Sequence, residues 1–141
     1  DIGLADSRGI QIAVAAADAL AYVGLPEATY HLAHATIFLA TAPKSNSVGR
    51  AISAARQLVQ KGHAPAVPPH LHSTGYGGAE ELGHGVDYEY PHSDPAGIIR
   101  QQYFPDGVDE TALFKPGAHG AEQRIREALE DIDRVLGRDR Y

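Results

Sequence analysis

At 141 residues and 15.0 kDa, with 43% apolar and 21% charged residues, the chain has the size and make-up of one globular domain. It holds no cysteine, which excludes disulfides, thiolate zinc sites and cysteine nucleophiles, and its apolar runs at 12–17 and 35–40 fall short of the roughly 20 residues that cross a bilayer. The net charge of −6 lacks the basic stripe that holds phosphate backbones, so direct nucleic-acid binding is not expected here.

The first predicted helix runs from about 8 to 23, capped by Asp6 or Ser7 and closed by Gly24. Ile10, Val14, Ala17 and Leu20 form one apolar stripe, and Ile12, Ala16, Ala19 and Val23 form another. A helix apolar nearly all round is expected to be buried on several sides, centrally or between subunits. Pro26 at a first helical position, with Glu27 in the first turn, opens a second helix that reaches Thr41. Leu32, Ala35, Leu39 and Ala42 mark its core side.

Pro43 then stops the ladder, because proline donates no backbone bond and restricts the residue before it. Ser45 or Asn46 can cap a third helix, from 47 to 61, whose apolar positions are Val48, Ile52, Ala55 and Leu58/Val59. Lys44, alone beside these helix ends, is expected to meet a neighbouring carbonyl or carboxylate. The short connections make consecutive helices antiparallel neighbours, and abundant alanine lets them approach closely.

From 63 to 119 the chain changes character. Seven of nine prolines lie there (Pro65, Pro68, Pro69, Pro91, Pro95, Pro105 and Pro116), together with six of ten aromatic residues. Only short elements fit, such as a turn of helix near 78–82, yet so many aromatics indicate an ordered wrap lying on the helices. Charge is uneven too. Residues 1–62 carry five basic and four acidic groups (+1), residues 80–110 eight acidic groups against Arg100 (−7), and residues 111–141 six of each. A last helix, about 120–137, presents Ile125, Leu129, Ile132 and Val135/Leu136, with Glu122/Arg126 and Glu130/Arg134 spaced to pair on its solvent side. The expected architecture is all-α: antiparallel helices with a long Pro/Gly-rich wrap, treated as a single domain over 1–141.

Catalytic constellations are weak. There are eight histidines: His31, His34, His63, His70, His72, His84, His92 and His119. His70 and His72 could share one face of a strand, and His84 or His92 with Asp87 or Asp94 could complete a zinc or iron site, but the spacing fits no strong metal pattern. Gly75-Tyr76-Gly77-Gly78 and Gly83-His84-Gly85 lack the Gly-Lys-Ser/Thr of a phosphate loop. No serine sits in a nucleophile elbow. No catalytic residue, metal ligand or cofactor is expected in these residues.

Five segments, in order, do form a pattern: Asp1-Ile2-Gly3-Leu4-Ala5-Asp6; Ala40-Thr41-Ala42-Pro43-Lys44-Ser45-Asn46; Val67-Pro68-Pro69-His70-Leu71; Leu82-Gly83-His84-Gly85 with Tyr88-Glu89-Tyr90-Pro91-His92; and Gln101-Gln102-Tyr103-Phe104-Pro105-Asp106. Over residues 1 to about 122 their order and spacing resemble the C-terminal region of the MgsA/RarA (replication-associated recombination protein A) family of AAA+ ATPases. The local run His72-Ser73-Thr74-Gly75 departs from that pattern.

The resemblance implies a mostly helical, clamp-loader-collar-like domain that holds subunits together as a homotetramer. An N-terminal AAA+ core and helical lid, with ATP and Mg, would belong to the parent protein and lie outside this chain. A chain that begins at Asp1 and has no methionine is expected to be part of a longer protein. The family acts at stalled or damaged replication forks, in the cytoplasm and at the nucleoid. Single-stranded-DNA-binding protein is an implied partner, and DNA is met only through the parent. The candidate interface residues, chosen by pattern, are Ile10, Val14, Leu32, Leu39 and Tyr103. The alternative expectation is a helical module that docks a replication partner such as single-stranded-DNA-binding protein.

Overall fold

The computed structural model describes residues 1–62 and 66–140; His63, Pro65 and the start of the expected wrap lie outside the described residues. Among the described residues the fold is all-α, with four α-helices, short 3-10 turns and no strand. No helix there is long and apolar enough to cross a membrane.

Helix α1 spans Arg8–Val23, as its stripe and flanking signals predict. Of the two candidate caps, Asp6 acts: its Oδ1 accepts the Arg8 N–H at 3.1 Å. Gly24 closes the helix at φ 74°, a left-handed value glycine adopts without penalty, and its N–H reaches the Leu20 carbonyl at 3.0 Å. Helix α2 spans Thr29–Thr41, three residues later than predicted. Pro26, after a cis peptide bond, belongs to a preceding turn closed by Ala28 N–H to Gly24 O and Thr29 N–H to Pro26 O. Helix α3 spans Ser47–Lys61. Helix α4 spans Glu122–Leu136, starting two residues later than predicted because Gly120 sits at φ +58° outside helical space.

The chain divides into two compact units: Asp1–Ser53 with Phe114–Ala128, and Ala54–Leu113 with Leu129–Tyr141. In the first unit α1 packs along α2, the one extensive helix-on-helix contact among the described residues. The interior of this unit is built of small side chains: Ala5, Ala16, Ala28 and Ala35 are buried, as is Gly9, which lies against Ile2. Alanine faces allow close helix approach but bury little apolar area each. The large side chains of α1 point outward instead. The expectation that α1 is buried on several sides is therefore corrected for the single chain: only one side is covered.

The predicted α3 stripe is only partly covered: Ala55 and Leu58 are half-buried, whereas Val48, Ile52 and Val59 are exposed. Ser47 is buried and Ala51 and Ala54 are half-buried beside them. The chain's own packing favours the small residues over the bulkiest ones.

The second unit holds the irregular segment, organised by three 3-10 turns at Pro69–Leu71, Glu80–Leu82 and Pro91–Ser93. The predicted helical turn near 78–82 is the second of these. The first holds His70, so His70 and His72 do not share a strand face: consecutive prolines at 68 and 69 cannot donate to a ladder and pre-set a turn. Pro68, Ala79, Asp133 and Leu136 are buried in this unit.

Candidate functional site

The Pro43-Lys44-Ser45-Asn46 turn ends one helix and starts the next, and each residue has an identifiable part in it. The last carbonyls of a helix lack intrahelical donors. Lys44 supplies them: its ammonium donates to Leu39 O at 2.9 Å, Ala40 O at 3.3 Å and Ala42 O. Its positive charge also suits the negative end of α2. Ser45 donates its backbone N–H to Asp1 O at 2.8 Å and accepts the Ser47 N–H on Oγ at 3.1 Å, so Ser45 is the α3 cap. Asn46 contributes its carbonyl to Arg50 N–H at 3.0 Å.

Directly beneath this turn lies a carboxylate that sequence reading assigned to the solvent. Glu122 is fully buried. The Ser47 hydroxyl donates to one of its oxygens and the Gly117 N–H to the other. Burial pushes the Glu122 carboxyl up, but the bonds from Ser47, Gly117 and Ser45 and the charge of Arg50 outweigh it and hold the group below its ordinary value.

The predicted Glu122/Arg126 pair is thus absent; Arg126 donates to Pro116 O at 3.0 Å and Gly117 O at 3.1 Å. The predicted Glu130/Arg134 pair is also absent, since Arg134 takes the nearer Asp131 at 2.6 Å. Carboxylates favour the positive end of a helix, and the place of Glu122 in the first turn of α4 was the signal available. Beside it the Ala121 N–H bonds Ala5 O at 2.8 Å. A Cβ on Gly120 would lie 2.1 Å from Ala5 O and 2.8 Å from Pro43 Cγ, so only glycine fits there.

The second unit gives its motif residues similar work. The His70 Nε2–H donates to Gln102 O at 2.8 Å, and the His72 Nε2–H to Val67 O at 3.1 Å. The His72 ring stacks on His84, with centroids 4.2 Å apart, and Tyr76 Oη bonds His84 Nδ1. Gly83 takes φ 72° after the Glu80–Leu82 turn, and the Gly85 N–H reaches Pro69 O at 3.1 Å. The Gln101 amide clasps the backbone of Glu89 from both sides, at 3.0 and 3.3 Å, and donates to the Tyr103 hydroxyl at 3.0 Å. Gln102 donates to Phe104 O at 2.8 Å and to Asp106 at 2.9 Å. The Tyr90 and His92 rings lie 5.0 Å apart across Pro91, which opens a turn, and Pro105 O accepts the Val108 N–H at 3.1 Å.

Sequence reading also missed an ion cluster. Buried Asp133 accepts Arg140 Nη2 at 2.6 Å and Nε at 3.0 Å, while Glu110 takes Arg138 at 3.0 Å and Arg140 at 3.4 Å. The Arg140 bonds, opposed by burial, hold the Asp133 carboxyl below its ordinary value. Among the described residues no three histidine, aspartate or glutamate side chains converge on a position that could hold a metal ion.

The outer face of the first unit is apolar and exposed. Ile10 is 74% exposed, Val14 54% and Tyr22 90%, with Val23, Tyr30 and Ile37 also exposed. Of the other candidate interface residues, Leu32 is 37% exposed and Leu39 half-buried in the first unit; Tyr103, in the second, is 48% exposed.

Comparison with known proteins adds a family. Residues 1–133 match the model described as MgsA AAA+ ATPase C terminal. The chain is 44% identical over 140 residues, 99% of its length, to an uncharacterized AAA domain-containing protein of Mycobacterium tuberculosis. It is 39% identical over 139 residues (98% of the chain) to replication-associated recombination protein A of Bacillus subtilis. To the protein of that name in Haemophilus influenzae it is 37% identical over 145 residues, 100% of the chain. In each case it spans about a third of the relative's length: 31%, 32% and 32% respectively.

Proposed function

Because the chain belongs to the MgsA AAA+ ATPase C-terminal family, we propose that it is the assembly domain of a replication-associated AAA+ ATPase, and that its outer α1 face associates with further copies into a homotetramer. The observation that carries this reading is the inverted packing of the first unit. Alanine and glycine fill its interior, while Ile10, Val14, Tyr22 and Val23 are offered to solvent. Monomeric domains rarely present such a run of large apolar side chains, and an obligate interface commonly buries about 2,000 Å² or more.

In this reading the parent's AAA+ core holds ATP and Mg, and meets DNA at stalled forks during recombination and repair. The present domain sets subunit number and spacing. The names of the Bacillus and Haemophilus relatives support the replication and recombination role. In this reading the Lys44 turn joins α2 to α3, and the Gln101 clasp ties together parts of the irregular segment.

Light scattering on a sizing column, across a dilution series, tests the assembly. The expected mass is near four times 15.0 kDa. Ile10→Asp and Val14→Asp lie on exposed positions and should lower that mass while leaving helical circular dichroism intact. A wild-type chain that is monomeric at every concentration would overturn the reading and favour a module that docks a partner such as single-stranded-DNA-binding protein.

A further inference from the structure

The second unit also carries a groove. Its volume is about 610 Å³, within the range of about 300–1,000 Å³ typical of ligand clefts. The floor is apolar: Ile98 and Ile99 are half-buried, and Val135, on the last turn of α4, is 58% exposed. On the rim stand Glu89 and Asp94, with the exposed Tyr90 ring between them in the chain; Arg100 also lines the groove.

Three charged residues line the groove: Glu89, Asp94 and Arg100. The unit around it is acidic, with twelve acidic residues against six basic ones. Within the unit Glu110 and Asp133 are matched by Arg138 and Arg140, and Asp131 by Arg134. Among the described residues Glu89 and Asp94 form no ion pair. The Asp94 carboxylate accepts the neighbouring Ala96 N–H at 2.8 Å, and Glu89 is held through its backbone.

An apolar floor under unpaired carboxylates selects against an acidic or nucleic-acid occupant and favours a cationic one with an apolar side. We propose that this groove docks a segment of a partner protein that carries an apolar anchor flanked by lysine or arginine. The anchor would cover Ile98, Ile99 and Val135; the flanking cations would meet Glu89 and Asp94, and one could lie over the Tyr90 ring. The groove lies within the second unit and does not depend on the α1 face.

The test uses the full 141-residue chain and a fluorescein-labelled helical peptide of leucine and lysine, with leucine at i, i+3, i+4 and i+7, read by anisotropy. An otherwise identical peptide with glutamate for lysine is the charge control. Expected are binding by the lysine peptide alone and affinity that falls as salt rises. Glu89→Gln with Asp94→Asn should weaken binding about tenfold or more, and Val135→Ser should also weaken it. Glu127→Gln with Glu130→Gln, removing two exposed carboxylates elsewhere on α4, should leave it unchanged.

Both Glu89 and Asp94 sit on the rim, so circular dichroism of that variant should match wild type. Absence of binding would overturn the proposal. Equal binding of the glutamate peptide, or equal loss in the Glu127/Glu130 variant, would overturn it as well, showing general stickiness or general charge attraction.

Discussion

Glu122 shows how one residue can connect distant parts of a sequence. Its two oxygens receive Ser47, buried and 75 positions away, and the half-buried Gly117. Glu122→Ala leaves those donors without their acceptor, and buried polar groups so stranded cost about 1–3 kcal/mol each. A loss of at least about 2 kcal/mol is expected, read as a lower urea midpoint. Glu122→Gln should also destabilise at neutral pH, because an amide offers one acceptor oxygen where the carboxylate offers two, so the Ser47 hydroxyl and the Gly117 N–H could not both keep their present acceptor.

Both Glu122 and Asp133 titrate below their ordinary values in the folded chain. Their contribution is therefore complete above the ordinary carboxylate range and lost as pH falls through the lowered folded values. The urea midpoint should be insensitive to these groups between about pH 6 and 8 and decline below about pH 4. Glu122→Gln should decline less steeply.

At the scale of elements, Lys44 and Gly120 separate two kinds of constraint. Lys44→Met removes a cap from the C-terminal end of α2 and should cost about 0.5–1 kcal/mol, a modest fall in thermal midpoint. Gly120→Ala meets both a positive φ and Ala5 O at 2.1 Å, and should cost more than the Lys44 change. Gly77→Ala, with open space around its Cβ, is the control and should be near neutral.

The limits of α1 and α3 were readable from the sequence because Asp6, Gly24, Ser45 and Gly62 carry their stop and start signals in their own chemistry. The role of Lys44 at a carbonyl was readable for the same reason. Which face of a helix is covered was not. Alanine satisfies a stripe on any side, and periodicity ranks faces by bulk, so Val48, Ile52 and Val59 outscored Ala51 and Ala54. Long-range partners such as Ser47 with Glu122, or Asp133 with Arg140, leave no local period at all.

For the whole molecule, two of the three points where the two-unit division crosses the chain fall inside α3 and α4, and the third, between Leu113 and Phe114, falls inside the irregular segment, so composition shifts could not mark it. The family likewise was legible only as five short segments in order. Their residues cap, clasp and turn the backbone, which is why a search for catalytic spacing finds nothing among them.

The alanine interior of the α1–α2 pair has a thermodynamic consequence. Ala16, Ala28 and Ala35 bury little apolar area each, so association at the α1 face should add a large share to the stability of the folded chain. Heat resistance would then depend on how much protein is in the tube. For four chains meeting at the α1 face, each tenfold dilution should lower the melting midpoint by about 3 °C. Val14→Asp should melt at one temperature whatever its concentration.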